Sequence, residues 1–248
     1  MQAATHQILA SSSCLADADS MGQSQRFRRH SRSQNEAMKG LYDWGDAAAN
    51  QDAKHAASFQ RNHGAILDVL LRHVFSELPR GSRVLEIGSG TGEHVQLWAR
   101  TLPELVFLPT EMTAEGKASV TAHCRGLPNV LPVSEVDLLA NGDSQHERVD
   151  CVVAVNVFHV VAETAVQRFA AVCAGARVVA VYGAFTRNGA FNAPSNESFD
   201  AMLRKTNPAF GLRDVDTQLV PAMAAHGLAL TAVHEMPANN YVLVFRAQ

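Results

Sequence analysis

Apolar residues recur along this chain with two periods, and their alternation predicts an α/β fold. Ile66, Leu67, Leu70, Leu71, Val74, Phe75 and Leu78 share one face of a helix, which Pro79-Arg80-Gly81 ends. The segment 83–87 is short, apolar and β-branched, which predicts a buried strand with one carboxylate at Glu86. Helical spacing returns over 93–102, where Val95, Trp98, Ala99 and Leu102 line one side. The alternation continues with strands over 104–109, 130–136, 149–155 and 177–181, and with helices over 114–124 and 163–172. The near-continuous apolar run at 149–155 is what a central parallel strand requires.

Beyond strand five the pattern changes. A loop rich in Gly and Asn spans 183–194, and a short helix over 196–205 is expected to be capped by Ser195 and broken by Asn207-Pro208. A helix over 214–226 stops at Gly227. Strands over 228–235 and 241–246 are joined by Met236-Pro237-Ala238-Asn239-Asn240, too short a link for a parallel crossover, so they form an antiparallel hairpin. The expected architecture is a Rossmann-like sheet of seven strands, mostly parallel, with helices on both faces and a C-terminal antiparallel hairpin. Residues 1–50 have neither period; Ser11-Ser12-Ser13 and the basic run from Arg26 to Ser33 read as a disordered extension ahead of a domain at 51–248.

Composition narrows the function classes. The chain has 248 residues, 47% hydrophobic, and a formal net charge of -3. Its pI near 6.4 argues against a nucleic-acid-binding domain, for which values above ~9 are usual. No apolar run reaches the ~18 residues of a membrane span. Cys14, Cys124, Cys151 and Cys173 form no C-x-x-C pair and no metal-ligand spacing, so reduced thiols in a cytoplasmic protein are expected. Arg/Ser enrichment in the extension leaves organelle targeting open, although Asp17, Asp19 and Glu36 weaken it.

The candidate chemistry centres on Val84-Leu85-Glu86-Ile87-Gly88-Ser89-Gly90-Thr91-Gly92-Glu93-His94. Glycine reaches φ > 0 without strain, so strand, glycine turn and helix bring a backbone close to a ligand and present free N–H groups to it. A dinucleotide fingerprint is spaced G-x-G-x-x-G; here the run is G-x-G-x-G, with Glu86 ahead of it. A carboxylate there repels a pyrophosphate and suits a ligand bearing an ammonium and a sulfonium. The pattern resembles motif I of the class I S-adenosylmethionine-dependent methyltransferases. Glu111, about 20 residues past the glycines, stands where doubly wound folds bind ribose hydroxyls, or it simply starts the next helix. Asp137, at the end of the third expected strand, is a candidate for an adenine amino group or an ordinary loop residue. Asn156 and His159 follow the fourth strand, where ligands of open α/β sheets gather. The absence of an Asn-Pro-Pro-Tyr run lowers exocyclic or amide nitrogens as acceptors.

Further blocks narrow the resemblance to the methyltransferase-like 26 family over about residues 57–246. They are Arg61-Asn62; Tyr182-Gly183-Ala184-Phe185; Ser195-Asn196 with Phe199-Asp200; Leu203-Arg204; Asn207-Pro208 with Gly211, Arg213 and Asp214; and 236–240 before Leu243-Val244-Phe245. The chain departs from the family where Glu111 replaces a commoner Asp and Asn207-Pro208 a commoner Asp-Pro. The resemblance implies S-adenosylmethionine bound by Glu86, Gly88, Gly90, Gly92, His94, Glu111, Asp137 and Asn156. It implies no settled acceptor; the loops expected to leave the sheet at its C-terminal edge above the cofactor make Arg61, Asn62, Tyr182, Ser195, Asn196 and Asp200, with Arg204, Arg213, Asn239 and Asn240, the candidates for the acceptor pocket. In the alternative, Ser195 only caps, Arg204 and Arg213 pair with Asp200 and Asp214, and the two asparagines only turn the hairpin. His159 is the candidate base for an alcohol, phenol or ammonium acceptor, and for a thiol it only orients. Such a pocket suits a small, polar, carboxylate-bearing molecule rather than DNA. A cofactor-binding protein without catalysis is the competing function; a nicotinamide-dependent oxidoreductase is disfavoured by the glycine spacing.

Overall fold

A computed structural model of the chain describes residues 52–139 and 148–248; the expected extension at 1–50, with its basic run, lies outside them. In chain order, α1 (Ala57–His73) leads into β1 (Arg83–Ile87), followed by α2 (Glu93–Thr101), β2 (Val106–Pro109) and α3 (Ala114–His123). Then come β3 (Cys151–Val155), α4 (Ala165–Val172) and β4 (Val178–Gly183), the short strands β5 (Phe185–Arg187) and β6 (Ala190–Phe191), and α5 (Pro194–Thr206). Last are β7 (Arg213–Asp214), α6 (Val220–Ala224), β8 (Leu228–Met236) and β9 (Asn240–Ala247).

Six of these strands form one sheet in the order β2-β1-β3-β4-β9-β8. β2, β1, β3 and β4 run parallel, whereas β9 is antiparallel to both of its neighbours. The expected hairpin is therefore present, with β9 inserted beside β4. Strand alternation sorts β1 onto two faces: Leu85 and Ile87 join Val152, Val179, Leu243 and the α4 residues Val166 and Phe169 in one core. Val84 and Glu86 face the other side. On that side Phe75 packs at 5.9 Å from Trp98 and 6.2 Å from Phe107, ring centre to ring centre.

Among the described residues the strand expected over 130–136 does not form, and the main sheet has six strands instead of seven. The segment does run along β2, bridging Phe107 to Val130 and Thr110 to Ser134. Leu131 N donates to Phe107 O and Ser134 N to Pro109 O. Between those bonds Pro109 has no amide hydrogen to donate, so the ladder is interrupted and its register slips.

Three local expectations also change. The loop at 183–194 contains β5 and β6, which join β7 in a second, three-stranded sheet. α5 begins one residue before Ser195, with Pro194 in its first turn and Ala193 as its N-cap; Ser195 is not the cap. The helix expected from 214 opens with a π-helical turn, Val215–Leu219, because Pro221 cannot donate to the carbonyl one turn back. Asp214 caps that turn, accepting from the backbone N–H groups of Asp216 and Thr217. No helix among the described residues is long and apolar enough to cross a membrane.

The chain leaves β1 for β2 on one side and arrives at β3 on the other. That reversal opens a crevice beyond the C-terminal ends of β1 and β3, where ligands of doubly wound sheets bind.

Candidate functional site

At the crevice, Gly88, Gly90 and Gly92 have φ of 67°, 56° and 90°. Gly88 and Gly90 are exposed. A Cβ on Gly90 would meet nothing within 4 Å, so its surface faces open space. A Cβ on Gly92 would lie 2.7 Å from the Cα of Val120 in α3, so only glycine lets α2 start there. Buried Thr110, at the end of β2, stitches the turn: its Oγ1 donates to Glu86 O (2.8 Å) and accepts from Gly88 N (3.1 Å). Ser89 N donates to Thr110 O at 2.7 Å.

Glu86 is 2% exposed, and its Oε2 has no hydrogen-bond partner among the described residues. Burial, partly offset by the Ser89 hydroxyl and reinforced by the charge of Glu111, pushes its carboxyl up to about 7. Glu111 stands at the rim, accepting from Gly90 N (3.1 Å) through Oε2, and from Thr113 N (3.0 Å) and Thr113 Oγ1 (2.9 Å) through Oε1. A buried carboxyl with an orphaned oxygen, a glycine cradle open to solvent and a second carboxylate at the rim fit a ligand that carries positive charge and vicinal hydroxyls.

The remaining cofactor candidates lie apart from the turn. Asp137 is exposed, and its Oδ1 accepts from Leu139 N at 2.8 Å. His94 packs between helices, 4.9 Å from Phe59 of α1 and 5.5 Å from Trp98. Burial, then the charge of His63, pulls its imidazole down to about 3. Asn156 follows β3 in the left-handed region at φ 58°, and its N–H donates to Tyr182 O at 2.9 Å. Non-glycine residues held there cost about 1–3 kcal/mol and cluster at functional sites.

Asn156 also lines a cavity of about 480 Å³ beyond β3 and β4. Arg61 and Asn62 enter it from α1, His159 from the turn after β3, Tyr182 from β4, Ser195 and Asn196 from α5, and Asn239 and Asn240 from the hairpin tip. These positions are far apart in sequence, and the fold gathers them into one wall. Asn239 O accepts from the side-chain amides of Asn192 (3.0 Å) and Asn196 (2.9 Å), while Asn239 Nδ2 donates to Ser195 Oγ (3.0 Å), tying the tip to α5. His159 stands edge-on to Phe199 at 5.3 Å. Burial, then the charge of Arg213, pulls its imidazole down to about 4, so it is neutral at pH 7 and weakly basic.

Asp200, Arg204 and Arg213 do not line the cavity. Asp200 pairs with Arg204 (2.7 Å) and accepts from Leu212 N (2.7 Å). Arg213 donates to Gly211 O and Ala209 O rather than pairing with Asp214. Together they brace the 207–213 loop, whose Gly211 N donates to His159 O. Several residues at the site gave no signal in the sequence: Ser58 and Ala65 line the cavity as small side chains, and Thr110 is a strand-end hydroxyl; Ala184, from the block 182–185, lines it too. Glu93 did stand beside the glycines. Its buried carboxylate accepts from Ala56 N (2.7 Å) and Thr91 Oγ1 (2.9 Å) and contacts His55 Nδ1 at 2.9 Å, clasping the start of α1 to the turn.

Solved structures share this fold. The pyocyanin biosynthetic protein PhzM has a TM-score of 0.56 at 15% identity, over 73% of this chain and 53% of its own. TnmH has a TM-score of 0.60 at 20% identity, over 90% of this chain and 70% of its own. CalO1, a methyltransferase in calicheamicin biosynthesis in its SAH-bound form, has 0.54 at 20%, over 77% and 60%. The chain thus spans a little over half the length of PhzM. These likenesses show a Rossmann-like class I methyltransferase fold. A family model described as "Protein of unknown function (DUF938)" matches residues 53–247, and the chain belongs to that family.

Proposed function

We propose that residues 51–248 form an S-adenosylmethionine-dependent methyltransferase domain that acts on a small polar acceptor through an oxygen, sulfur or nitrogen nucleophile. The observation that carries this reading is Glu86, a buried carboxyl with an orphaned oxygen beneath an open glycine turn at the switch point. The SAH-bound form of CalO1, on the same fold, supports the choice of cofactor. We also read the chain as one of the methyltransferase-like 26 proteins, on the blocks that the cavity gathers.

When bound, S-adenosylmethionine supplies an electrophilic methyl group on a sulfonium sulfur. Glu86, ionised, balances the positive charge of the ligand. Glu111 accepts from ribose hydroxyls with the geometry that Gly90 N and Thr113 already impose on it. Asn156, at the end of β3 on the cavity wall, orients what enters there. The cavity wall holds the acceptor in line, and positioning of this kind lowers a displacement barrier by several kcal/mol. His159, neutral, accepts a hydrogen bond from the nucleophile or takes its proton.

Calorimetric titration with S-adenosylmethionine, S-adenosylhomocysteine and NAD tests the cofactor; tighter binding of NAD would reverse the assignment. Incubation of methyl-labelled cofactor with a metabolite extract tests catalysis. A non-catalytic cofactor-binding protein is the second reading, favoured by a cavity wall with no carboxylate among the described residues and a weakly basic histidine; cofactor binding without label transfer would select it. Cys151 and Cys173 are buried free thiols, which supports a cytoplasmic setting.

A further inference from the structure

One cation on the cavity wall stands without a counter-charge. Arg61 lines the cavity, and among the described residues it makes no ion pair. No Asp or Glu among the described residues lines that cavity. Next to Arg61, Asn62 has a buried Oδ1 with no hydrogen-bond partner among the described residues. The Tyr182 phenol faces both residues: burial raises its pKa, while Asn62 and then Arg61 lower it. Phe199 lines the same cavity with an aromatic ring, and His159 meets that ring edge-on.

These features set requirements on an occupant. A guanidinium offers paired N–H donors that match a carboxylate in plane. A buried amide oxygen without a partner lacks a donor, because desolvating it unpaired is costly. A single cation among amides suits a monoanion, whereas a phosphate dianion calls for more positive charge or a row of backbone N–H groups. A cationic occupant would meet Arg61 and, among the described lining residues, no carboxylate. A cavity of about 480 Å³ fits a small molecule.

We propose that the acceptor is a small planar monocarboxylate with an N–H or O–H donor beside the carboxylate, Arg61 taking the anion and Asn62 Oδ1 the donor. The inference rests on the cavity being the acceptor site of the proposed methyltransferase. It leaves the rest of the molecule, including the reacting atom, to lie along Tyr182 and Phe199 toward Asn156.

Salicylate, salicylamide and benzoate probe the two contacts separately. Ligand-observed NMR titrations are run on the full chain, with and without S-adenosylhomocysteine. Salicylate should bind about ten-fold more tightly than salicylamide, the discrimination expected of a charge-assisted pair. Arg61→Gln should erase that preference, and Arg61→Lys should keep part of it. Asn62→Ala should erase the advantage of salicylate over benzoate. Equal binding of salicylate and salicylamide, a preference that survives Arg61→Gln, or no binding of salicylate at millimolar concentration would each overturn the proposal. Failure of S-adenosylhomocysteine to bind would instead remove the methyltransferase reading, because the anion preference is read in its absence as well.

Discussion

Replacing Glu86 by glutamine removes the one carboxyl among the described residues that is both buried and left half unpartnered. In the unfolded chain this group titrates near 4.5, and in the native protein near 7. Between those values the native state holds a proton that the unfolded state has released, so stability falls as pH rises through this window and then levels off. At about 1.4 kcal/mol per unit the loss is about 3 kcal/mol, and full burial leaves it unscreened by solvent. At pH 5 the wild type and Glu86→Gln are both neutral at this position. There the variant should be equal or slightly worse, because its amide brings a donor with no acceptor, at about 1 kcal/mol. At pH 8 the order reverses, and ligand-free Glu86→Gln should be more stable by about 2 kcal/mol, roughly 4–8 °C for a domain of this size. Melting curves at the two pH values read the crossing. Titration with S-adenosylmethionine should show the opposite cost: at pH 8 the variant should bind roughly ten-fold more weakly or worse, having no charge to offer. Near pH 6.5 the wild type should release close to one proton on binding, seen as a dependence of the heat on the ionisation enthalpy of the buffer, and the variant none. Parallel stability–pH curves for the two proteins would refute the reasoning.

Three further outcomes follow from the geometry. The His159 imidazole should titrate near 4 by NMR, and Arg213→Gln should move it up toward 6.5; a wild-type midpoint between 6 and 7 would contradict the burial argument. Because the unfolded chain then takes up that proton first, His159 lowers stability as pH falls from 6.5 to about 4. Gly92→Ala should cost more than Gly90→Ala in thermal melts: both acquire the left-handed penalty of about 1–3 kcal/mol, but only Gly92→Ala drives a methyl group to 2.7 Å from the Val120 Cα. Equal losses would mean that α3 yields. Glu93→Ala should speed amide hydrogen exchange over 53–65, since it frees Ala56 N and His55 together; protection unchanged from the wild type would show that the clasp does not hold α1.

Much of the architecture was legible from local pattern. The strand, turn and helix over 83–102 follow from a short apolar run, three alternate glycines and one helical stripe, all signals that act within a few residues. The hairpin at 228–246 was equally legible, because five residues cannot carry a parallel crossover. The edge strand at 130–136 was not: its apolar composition is strand-like, yet its partner β2 carries Pro109 on the side where it had to donate. Ser195 reads as a cap in sequence, but Pro194 already starts the helix, and the freed hydroxyl meets Asn239 instead.

The sequence by itself determined which elements exist and where backbone must approach a ligand, since period and glycine spacing are properties of neighbouring residues. Only the tertiary structure decided which polar side chains share the cavity. Asp200, Arg204 and Arg213 carry the same chemistry as Arg61, Asn62 and Asn239, but the 207–213 loop turns them to one another and to backbone, away from the opening. It also decided the ionisation of Glu86 and His159, because desolvation depends on what packs around a group from distant parts of the chain.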